Sequence, residues 1–317
     1  MDFSEDNASG ESGSLFINLT NFLNGRDNLR QGALDLMNLR KTVASLSGVD
    51  NNSVYFVGHS LGTQTGGVFA GAVKQSANEA GGDAALPDLK LAGVHLQTPV
   101  AGVVRLLENS PSFAPTILGG LQAAAGLTQG DADLETFLNV NQHALDSADP
   151  INFASELANS NTLISQVNGD RTTPNAADDR FGDNIEGIQG YEGGPLQDIT
   201  IGNLTINSFE APLTGSEALA NLMDADNTGT SGQSTPAITR YLAGTHGTPV
   251  LPRADSVDVG GVLKDRTIAQ SETEVVSTAA ANGVFGELVA QTLQLITTGS
   301  PATITGGSQA GTVIQDN

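Results

Sequence analysis

The feature that most constrains this chain is a run of β-favouring residues leading into a Gly-x-Ser-x-Gly motif. Residues 54–57 are Val-Tyr-Phe-Val, residues 58–62 are Gly-His-Ser-Leu-Gly, and a small-residue segment follows over 63–73. This succession predicts a buried strand, a turn too tight for side chains at its two glycines, and a helix. Such a turn lifts Ser60 Oγ above the end of a sheet, where the Leu61 N–H can face a developing negative charge. The motif favours a nucleophilic serine over a solvated serine in a glycine-rich turn.

The charge balance and the absence of cysteine exclude several classes of protein. The 317 residues include 13 Lys and Arg against 35 Asp and Glu, and the resulting charge of −22 repels nucleic acid and anionic lipid headgroups. The chain has no cysteine, which excludes disulfides, thiolate metal sites and cysteine nucleophiles. No apolar run approaches the length of about 18 residues that spans a membrane, and the acidic N-terminus is unlike a signal peptide. We expect chemistry without a metal or cofactor.

Alternating helix and strand patterns predict an α/β fold with a mostly parallel sheet. Apolar residues at near-helical spacing predict an amphipathic helix over residues 28–46, with residues 24–28 as its turn and cap. Besides the strand before Ser60, the predicted strands are residues 89–96, 162–167 and 237–242. The predicted buried face of a C-terminal helix comprises Val284, Phe285, Leu288, Val289, Leu293 and Ile296.

Two stretches are predicted to interrupt this alternation. Residues 100–150 carry apolar residues at helical spacings, and a helical insertion beyond a strand's carboxyl end would cover Ser60 as a lid; ordinary packing helices are the alternative. Residues 176–235 are polar and glycine-rich, and residues 198–206 within them alternate around Gly-Asn, which indicates a β-hairpin. Residues 224–229 resemble the opening of a calcium loop, but a threonine replaces its bidentate glutamate.

A serine hydroxyl needs a base within hydrogen-bond reach, and the chain offers four histidines. His59 lies inside the turn, where we expect its side chain to point away from the attacking face of Ser60. His95 lies within a predicted strand and is expected to be a hydrogen-bonded core or edge residue, while His143 lies in the predicted lid. His246 follows a predicted strand and is flanked by glycines, so its loop can bring the ring to the top of the sheet. We therefore expect His246 to be the base.

The base in turn needs a carboxylate, which fixes its tautomer and stabilises its cation. Asp170 follows the predicted strand 162–167 and lies between the serine and the histidine in the chain. The order serine, aspartate, histidine is that of the α/β-hydrolases. Asp178 and Asp179 are the alternatives, a few residues further on, whereas Asp149 precedes a proline and is expected to be structural.

Several short motifs together resemble one family. They are residues 26–31 (Arg-Asp-Asn-Leu-Arg-Gln), 58–62, 149–153 (Asp-Pro-Ile-Asn-Phe), Gly169-Asp170 with Pro174-Asn175, and 244–247 (Gly-Thr-His-Gly). From about residue 14 to the tail, the chain resembles bacterial extracellular lipases of the Pla-1/cef type, relatives of virulence-factor lipases and surface lysophospholipases. The resemblance implies Ser60 as nucleophile, Asp170 as acid, His246 as base, and an extracellular or cell-surface location. Where that family has two valines before the proline, this chain has Arg171-Thr172-Thr173.

These observations predict one α/β-hydrolase domain over residues 1–317, with insertions at 100–150 and 176–235. The strands that normally precede the serine turn are not apparent, so we expect Met1 to begin partway through a catalytic domain. The expected function is that of a serine carboxylic-ester hydrolase, a lipase or esterase, acting on an acyl-ester, lipid or polyester substrate. An acyltransferase or thioesterase on the same scaffold, and a non-catalytic fragment that binds lipid or a partner chain, are the alternatives.

Overall fold

The structure is a computed structural model that describes most of the chain. The described residues are 21–110, 112–168, 170, 172–176, 199–201, 204–206, 214–250, 256–259, 262–265, 278–299, 301–308 and 310–316. The helices are α1 (Phe22–Ala44), α2 (Leu61–Glu79), α3 (Val103–Asn109), α4 (Ala114–Ala125), α5 (Ala132–Leu145), α6 (Ala154–Ala158), α7 (Gly215–Leu222) and α8 (Thr278–Thr298). The strands are β1 (Tyr55–His59), β2 (Gly93–Gln97), β3 (Thr162–Val167), β4 (Ile199–Ile201), β5 (Leu204–Ile206), β6 (Asp226–Asn227), β7 (Gln233–Ser234), β8 (Ala237–Tyr241), β9 (Ser256–Val259), β10 (Val262–Asp265) and β11 (Thr303–Ile304).

The central sheet is parallel throughout the described residues. Its strand order is β1-β2-β3-β8-β6, and every neighbouring pair runs in the same direction. The predicted α/β class with a mostly parallel sheet is therefore confirmed. The hairpin predicted within residues 198–206 is also confirmed, because β4 and β5 pair in antiparallel fashion.

Helices cover both faces of this sheet. Along β2, Val94 and Leu96 point to one face and belong to an apolar cluster with residues of α2, α6 and α7. His95 points to the other face, where its ring contacts Thr292 of α8. All five residues of β2 are buried, as expected for a parallel strand between two helical layers. None of the described helices is long and apolar enough to cross a membrane.

Helix α1 begins six residues earlier than the sequence pattern predicts. Asn21 is its N-cap, with the side-chain oxygen accepting a hydrogen bond from Asn24 N at 3.2 Å, so the predicted turn and cap at residues 24–28 are wrong. Leu29 is buried against the core, but Leu39 is 56 % exposed. Residues 24–28 are polar and do not show the apolar spacing of a helix, and the residue that caps the helix, Asn21, lies before them.

The buried face of α8 differs from the predicted one. Val284, Leu288 and Leu295 are buried, whereas Val289, Leu293 and Ile296 are each more than 40 % exposed. Polar residues complete the buried face: Gln291 Oε1 accepts hydrogen bonds from Thr239 Oγ1 and from the Tyr241 hydroxyl, both at 2.9 Å. Apolar periodicity assigned the wrong stripe because part of this interface is made by hydrogen bonds.

Residues 214–235 contribute to the core, although the sequence places them in a polar excursion. Leu219 of α7 is buried in the cluster beneath the sheet, and β6 pairs with β8. The segment resembling a calcium loop therefore supplies a sheet strand. Among the described residues, no group of three His, Asp or Glu side chains could hold a metal ion. Asp178 and Asp179 lie outside the described residues.

Gly66 lets α2 pack closely on β1. A Cβ added at Gly66 would lie 1.9 Å from Cζ of Phe56, whose ring also packs edge-on against Phe69. We expect Gly66→Ala to lower the free energy of unfolding by about 1–3 kcal/mol, because the ring must leave its packed position. Urea unfolding measures the change, with Gly62→Ala as the control, since nothing lies within 4 Å of an added Cβ there. Equal stability of the two variants would contradict the prediction.

Candidate active site

Ser60 sits at the strained junction between β1 and α2. Its φ of 53° and ψ of −127° place a residue that is not glycine in a sparsely populated region, and such strain is typical of functional sites. Neighbouring backbone holds the turn: Ser60 N donates to Gln97 O at 3.1 Å, and Thr63 N donates to Ser60 O at 2.7 Å. The strand, turn and helix of the sequence prediction are all present.

The two motif glycines are not equivalent. A Cβ at Gly58 would lie 2.9 Å from the carbonyl oxygen of Gly62, so only glycine fits there without displacement. At Gly62 there is open space, and the expectation that both positions exclude side chains is wrong for this one. Gly58 faces the backbone of the serine turn, whereas Gly62, in the first turn of α2, has no neighbouring atom where a Cβ would stand.

The loop that carries His246 is a tight turn after β8. Gly244 has a φ of +105°, a conformation that favours glycine, and lets the chain turn away from the strand end. Thr245 N donates to Thr248 Oγ1 at 2.8 Å, and Thr248 N donates back to Thr245 O at 3.0 Å. Both threonines are buried, so the loop is fixed from within.

The structure brings Ser60, Asp170 and His246 into direct contact. Nε2 of His246 lies 2.7 Å from Ser60 Oγ, and Nδ1 lies 2.8 Å from Asp170 Oδ2. Because a carboxylate only accepts, Nδ1 carries the ring proton, and Nε2 is left to accept the proton of the serine hydroxyl. This is the tautomer that base catalysis by the ring requires.

Asp170 is buried and held by four hydrogen bonds. Its Oδ1 accepts from the backbone N–H groups of Thr172 and Thr173 at 2.9 and 3.0 Å. Its Oδ2 accepts from Thr173 Oγ1 at 3.0 Å as well as from His246. With its side chain only 1 % exposed, the carboxylate has a fixed orientation toward the imidazole.

His59 contacts the His246 loop. Its Nε2 lies 2.7 Å from the backbone oxygen of His246, and because a carbonyl only accepts, the proton is on Nε2. Burial lowers the pKa of His59, and this hydrogen bond opposes the shift. The sequence expectation that His59 points away from the attacking face leaves out this contact, which joins the serine turn to the histidine loop.

The backbone N–H of Leu61 lies at the amino-terminal end of α2. Leu61 is the first residue of α2, and the first N–H groups of a helix lie outside its own hydrogen-bond ladder. The Leu61 side chain packs against an apolar cluster formed mainly by α3, α4 and α5, with Phe113 and Phe137 at its partly exposed margin. The predicted helices within residues 100–150 are thus present, and Leu61 packs against the cluster that they form.

The remaining candidates from the sequence lie elsewhere. His95 is fully buried in the core, which is one of the two positions expected for it, and the His143 side chain is 89 % exposed on α5. Asp149 is fully buried and accepts from Gly102 N and Val103 N at 3.0 and 2.8 Å, which fixes the start of α3. Burial raises the pKa of Asp149, and these donors oppose the shift.

A cavity of about 360 Å³ lies away from Ser60. It opens at the amino-terminal ends of β1 and β2, and its lining includes Tyr55, Lys74, Asp83, Lys90 and Asn161. Much of its polar lining is already bonded within the protein, such as Lys74 Nζ to Asp83 at 2.9 Å. The Ser60 hydroxyl lies at the opposite edge of the sheet, so this cavity does not contain it.

Thr173 was not among the residues singled out from the sequence. A threonine three residues after an aspartate has no distinctive signal, and only the loop geometry shows that its hydroxyl reaches Asp170. The departure of this segment from the two valines of the resembling family is the one sequence feature that points to it.

Comparisons with known proteins add no family assignment to this geometry. No protein-family model matches the chain, and a search among curated proteins gave no match. The resemblance to extracellular lipases therefore stays a prediction. What the chain itself provides is an α/β architecture in which a strained serine, a histidine and a buried aspartate are hydrogen-bonded in series.

Proposed function

We propose that this chain is a serine carboxylic-ester hydrolase of the lipase or esterase type, built on an α/β-hydrolase fold. The observation that carries the proposal is the series of contacts from Ser60 Oγ through the His246 ring to Asp170 Oδ2, at 2.7 and 2.8 Å. A lone serine hydroxyl is a weak nucleophile, and a base that touches it and is oriented by a carboxylate supplies the activation that acyl transfer needs.

The positions of Ser60, Asp170 and His246 in the sheet support the proposed α/β-hydrolase fold. The serine follows β1 at a strained turn into a helix, the aspartate follows β3 and the histidine follows β8, all at the carboxyl ends of parallel strands. Reactive groups of open α/β sheets gather at that edge. The chain order serine, aspartate, histidine is that of α/β-hydrolases, and it differs from the orders in unrelated serine proteases.

In the proposed reaction, Ser60 Oγ attacks the ester carbonyl carbon while His246 Nε2 takes its proton. The negative charge that forms on the carbonyl oxygen faces the Leu61 N–H at the start of α2. His246 then gives the proton to the leaving alcohol as the carbon–oxygen bond breaks, and the acyl group stays on Ser60. Water attacks the acyl-enzyme with His246 again as base, which releases the carboxylic acid and restores the serine. Asp170 stabilises the imidazolium at each step.

The surroundings of Leu61 favour an acyl chain as the substrate group. The cluster formed mainly by α3, α4 and α5 offers partly exposed Phe113, Ile117, Leu121, Leu127 and Phe137 near the serine turn. An apolar wall of this kind binds hydrocarbon through burial, at roughly 25 cal/mol for each Å² removed from water. Acylglycerols, lysophospholipids and aliphatic polyesters all present such a chain next to an ester.

The test is covalent labelling of Ser60 by a fluorophosphonate, combined with hydrolysis of p-nitrophenyl butyrate. We expect one adduct per folded chain, mapped to Ser60 by peptide mass spectrometry, and loss of ester hydrolysis in step with labelling. Protein unfolded in urea before exposure is the control, and it should stay unlabelled because its serine lacks the base.

Each alternative has its own outcome in this experiment. A non-catalytic binder would leave Ser60 unmodified and would release no nitrophenol. An acyltransferase or thioesterase would be labelled, but an added alcohol or thiol would outcompete water for the acyl group. Either result would replace the hydrolase proposal.

A further inference from the structure

The Thr173 hydroxyl lies where three polar groups of the site converge. Its Oγ1 is 3.0 Å from Asp170 Oδ2, 3.2 Å from His246 Nδ1 and 3.2 Å from the backbone oxygen of Thr98. Thr173 is only 3 % exposed, so these contacts are shielded from water. The proposed mechanism assigns it no role.

The single hydroxyl proton has two possible acceptors, and the carboxylate is the stronger one. Hydrogen bonds to ionised acceptors are roughly twice as strong as those between neutral groups. Asp170 Oδ2 is also the nearer acceptor, at 3.0 Å against 3.2 Å for Thr98 O. Thr173 Oγ1–H therefore donates to Asp170 Oδ2, the same oxygen that accepts from His246.

The backbone of Thr98 lies on the other side of the hydroxyl. Thr98 has a φ of +45°, which is unfavourable for a β-branched residue. It follows β2 directly, beside the serine turn, and its carbonyl oxygen is within hydrogen-bond reach of Thr173 Oγ1. Strain of this kind persists only where the surrounding contacts hold it, so the Thr98 carbonyl oxygen has a fixed place beside the hydroxyl.

We propose that Thr173 is a positioning residue that sets the basicity of His246 through Asp170, an inference that rests on the proposed hydrolase function. By donating to Oδ2, the hydroxyl shares the negative charge that would otherwise act on the imidazolium alone. Ser60 Oγ and the ring of His59, whose centroid lies 5.0 Å away, also face the His246 ring. Removing the hydroxyl leaves Oδ1 with its two backbone donors and makes the imidazolium more favourable.

The experiment compares Thr173→Val and Thr173→Ala, which lack the hydroxyl, with Thr173→Ser, which keeps it. The pH profile of kcat/KM for p-nitrophenyl butyrate is measured for each, together with an NMR titration of the His246 ring. We expect the acid limb and the ring titration to move to higher pH by about half to one pH unit in the first two variants. Thr173→Ser should restore both, and Thr297→Val, which removes a hydroxyl bonded only within α8, should shift neither.

The outcomes separate this inference from the proposed function. A merely structural role would change stability or KM and leave the acid limb in place, which would overturn the inference, as would a shift to lower pH. If Thr173→Val does not fold, the smaller Thr173→Ala variant decides the matter. If the wild type neither hydrolyses the ester nor takes up the fluorophosphonate, the hydrolase proposal is wrong, while the NMR titration still reports the effect of Thr173 on the ring.

Discussion

Replacing Ser60 by alanine is expected to lower kcat for p-nitrophenyl butyrate by about a millionfold, and adding His246→Ala should lower it little further. The reason is that the two side chains act as one unit: Nε2 of His246 is 2.7 Å from Ser60 Oγ and has no proton to accept once the hydroxyl is gone. The double variant should therefore match Ser60→Ala within about threefold, and not show the product of two separate losses.

Asp170→Asn extends the same prediction to the carboxylate. An amide at this position can donate a proton to Nδ1, which would favour the tautomer with its proton on Nε2, facing Ser60 Oγ. We expect kcat to fall by about 10⁴-fold with the fold intact. The loss comes from the wrong tautomer, because the side chain keeps its size in a buried site.

The matched control for these variants is Ser76→Ala, an exposed serine on the same helix that starts at the serine turn. It should keep wild-type turnover, and urea unfolding should show that all the variants are folded. Undiminished hydrolysis by Ser60→Ala would rule out the serine as nucleophile. A double variant far slower than the single one would show that His246 acts on something other than Ser60.

The elements with strong local signals could be predicted from the sequence. The serine turn is marked by residues of fixed type at fixed spacing, and β3 and β8 were placed to within a residue by their apolar runs. His246 followed from elimination among only four histidines, and Asp170 from its place after a strand. The contact of the three side chains then follows from parallel topology, because strands that run the same way end at one edge.

What could not be predicted depends on contacts between distant segments. His59 donates to the backbone of a residue 187 positions away, and a hydrogen bond to a carbonyl leaves no mark in the sequence of either partner. The sequence also gives no sign of the positive φ of Thr98, because threonine is among the residues that least often adopt it. The buried face of α8 was predicted wrongly because it includes a polar residue. Gln291 lies in the core, where its side chain accepts hydrogen bonds from two hydroxyl groups.

The second large effect is expected from His95, whose burial should make the protein sensitive to acid. The ring lies between two hydroxyls: Nε2 is 2.8 Å from Ser165 Oγ, and Nδ1 is 2.9 Å from Thr292 Oγ1. The Thr292 proton is donated to Leu288 O at 2.7 Å, so Nδ1–H is the donor on that side and Nε2 accepts from Ser165. The neutral ring is thus fully bonded, and burial lowers the pKa of His95 to about 3.

The sign of the effect follows from comparing the two states. In the unfolded chain the ring takes up a proton as the pH falls below about 6.5, whereas the folded protein excludes that proton until about pH 3. The unfolded state therefore gains stability as the pH falls, and the contribution of His95 to folding, complete above pH 6.5, is lost on acidification. Between pH 7.5 and pH 5 the loss amounts to about 2 kcal/mol.

His95→Gln should remove this pH dependence, because glutamine keeps hydrogen-bonding groups near both hydroxyls and does not titrate in this range. We expect the variant to be less stable than the wild type at pH 7.5, because it loses the packing of the ring. Between pH 7.5 and pH 5, the free energy of unfolding should decrease by about 2 kcal/mol less in the variant than in the wild type. Urea unfolding at half-unit intervals measures both curves, above the isoelectric point near 4.2 so that the protein keeps its negative charge. His143→Gln, at an exposed site, should follow the wild-type curve. Parallel curves for wild type and His95→Gln would mean that the folded protein accepts a proton on His95 as readily as the unfolded chain does.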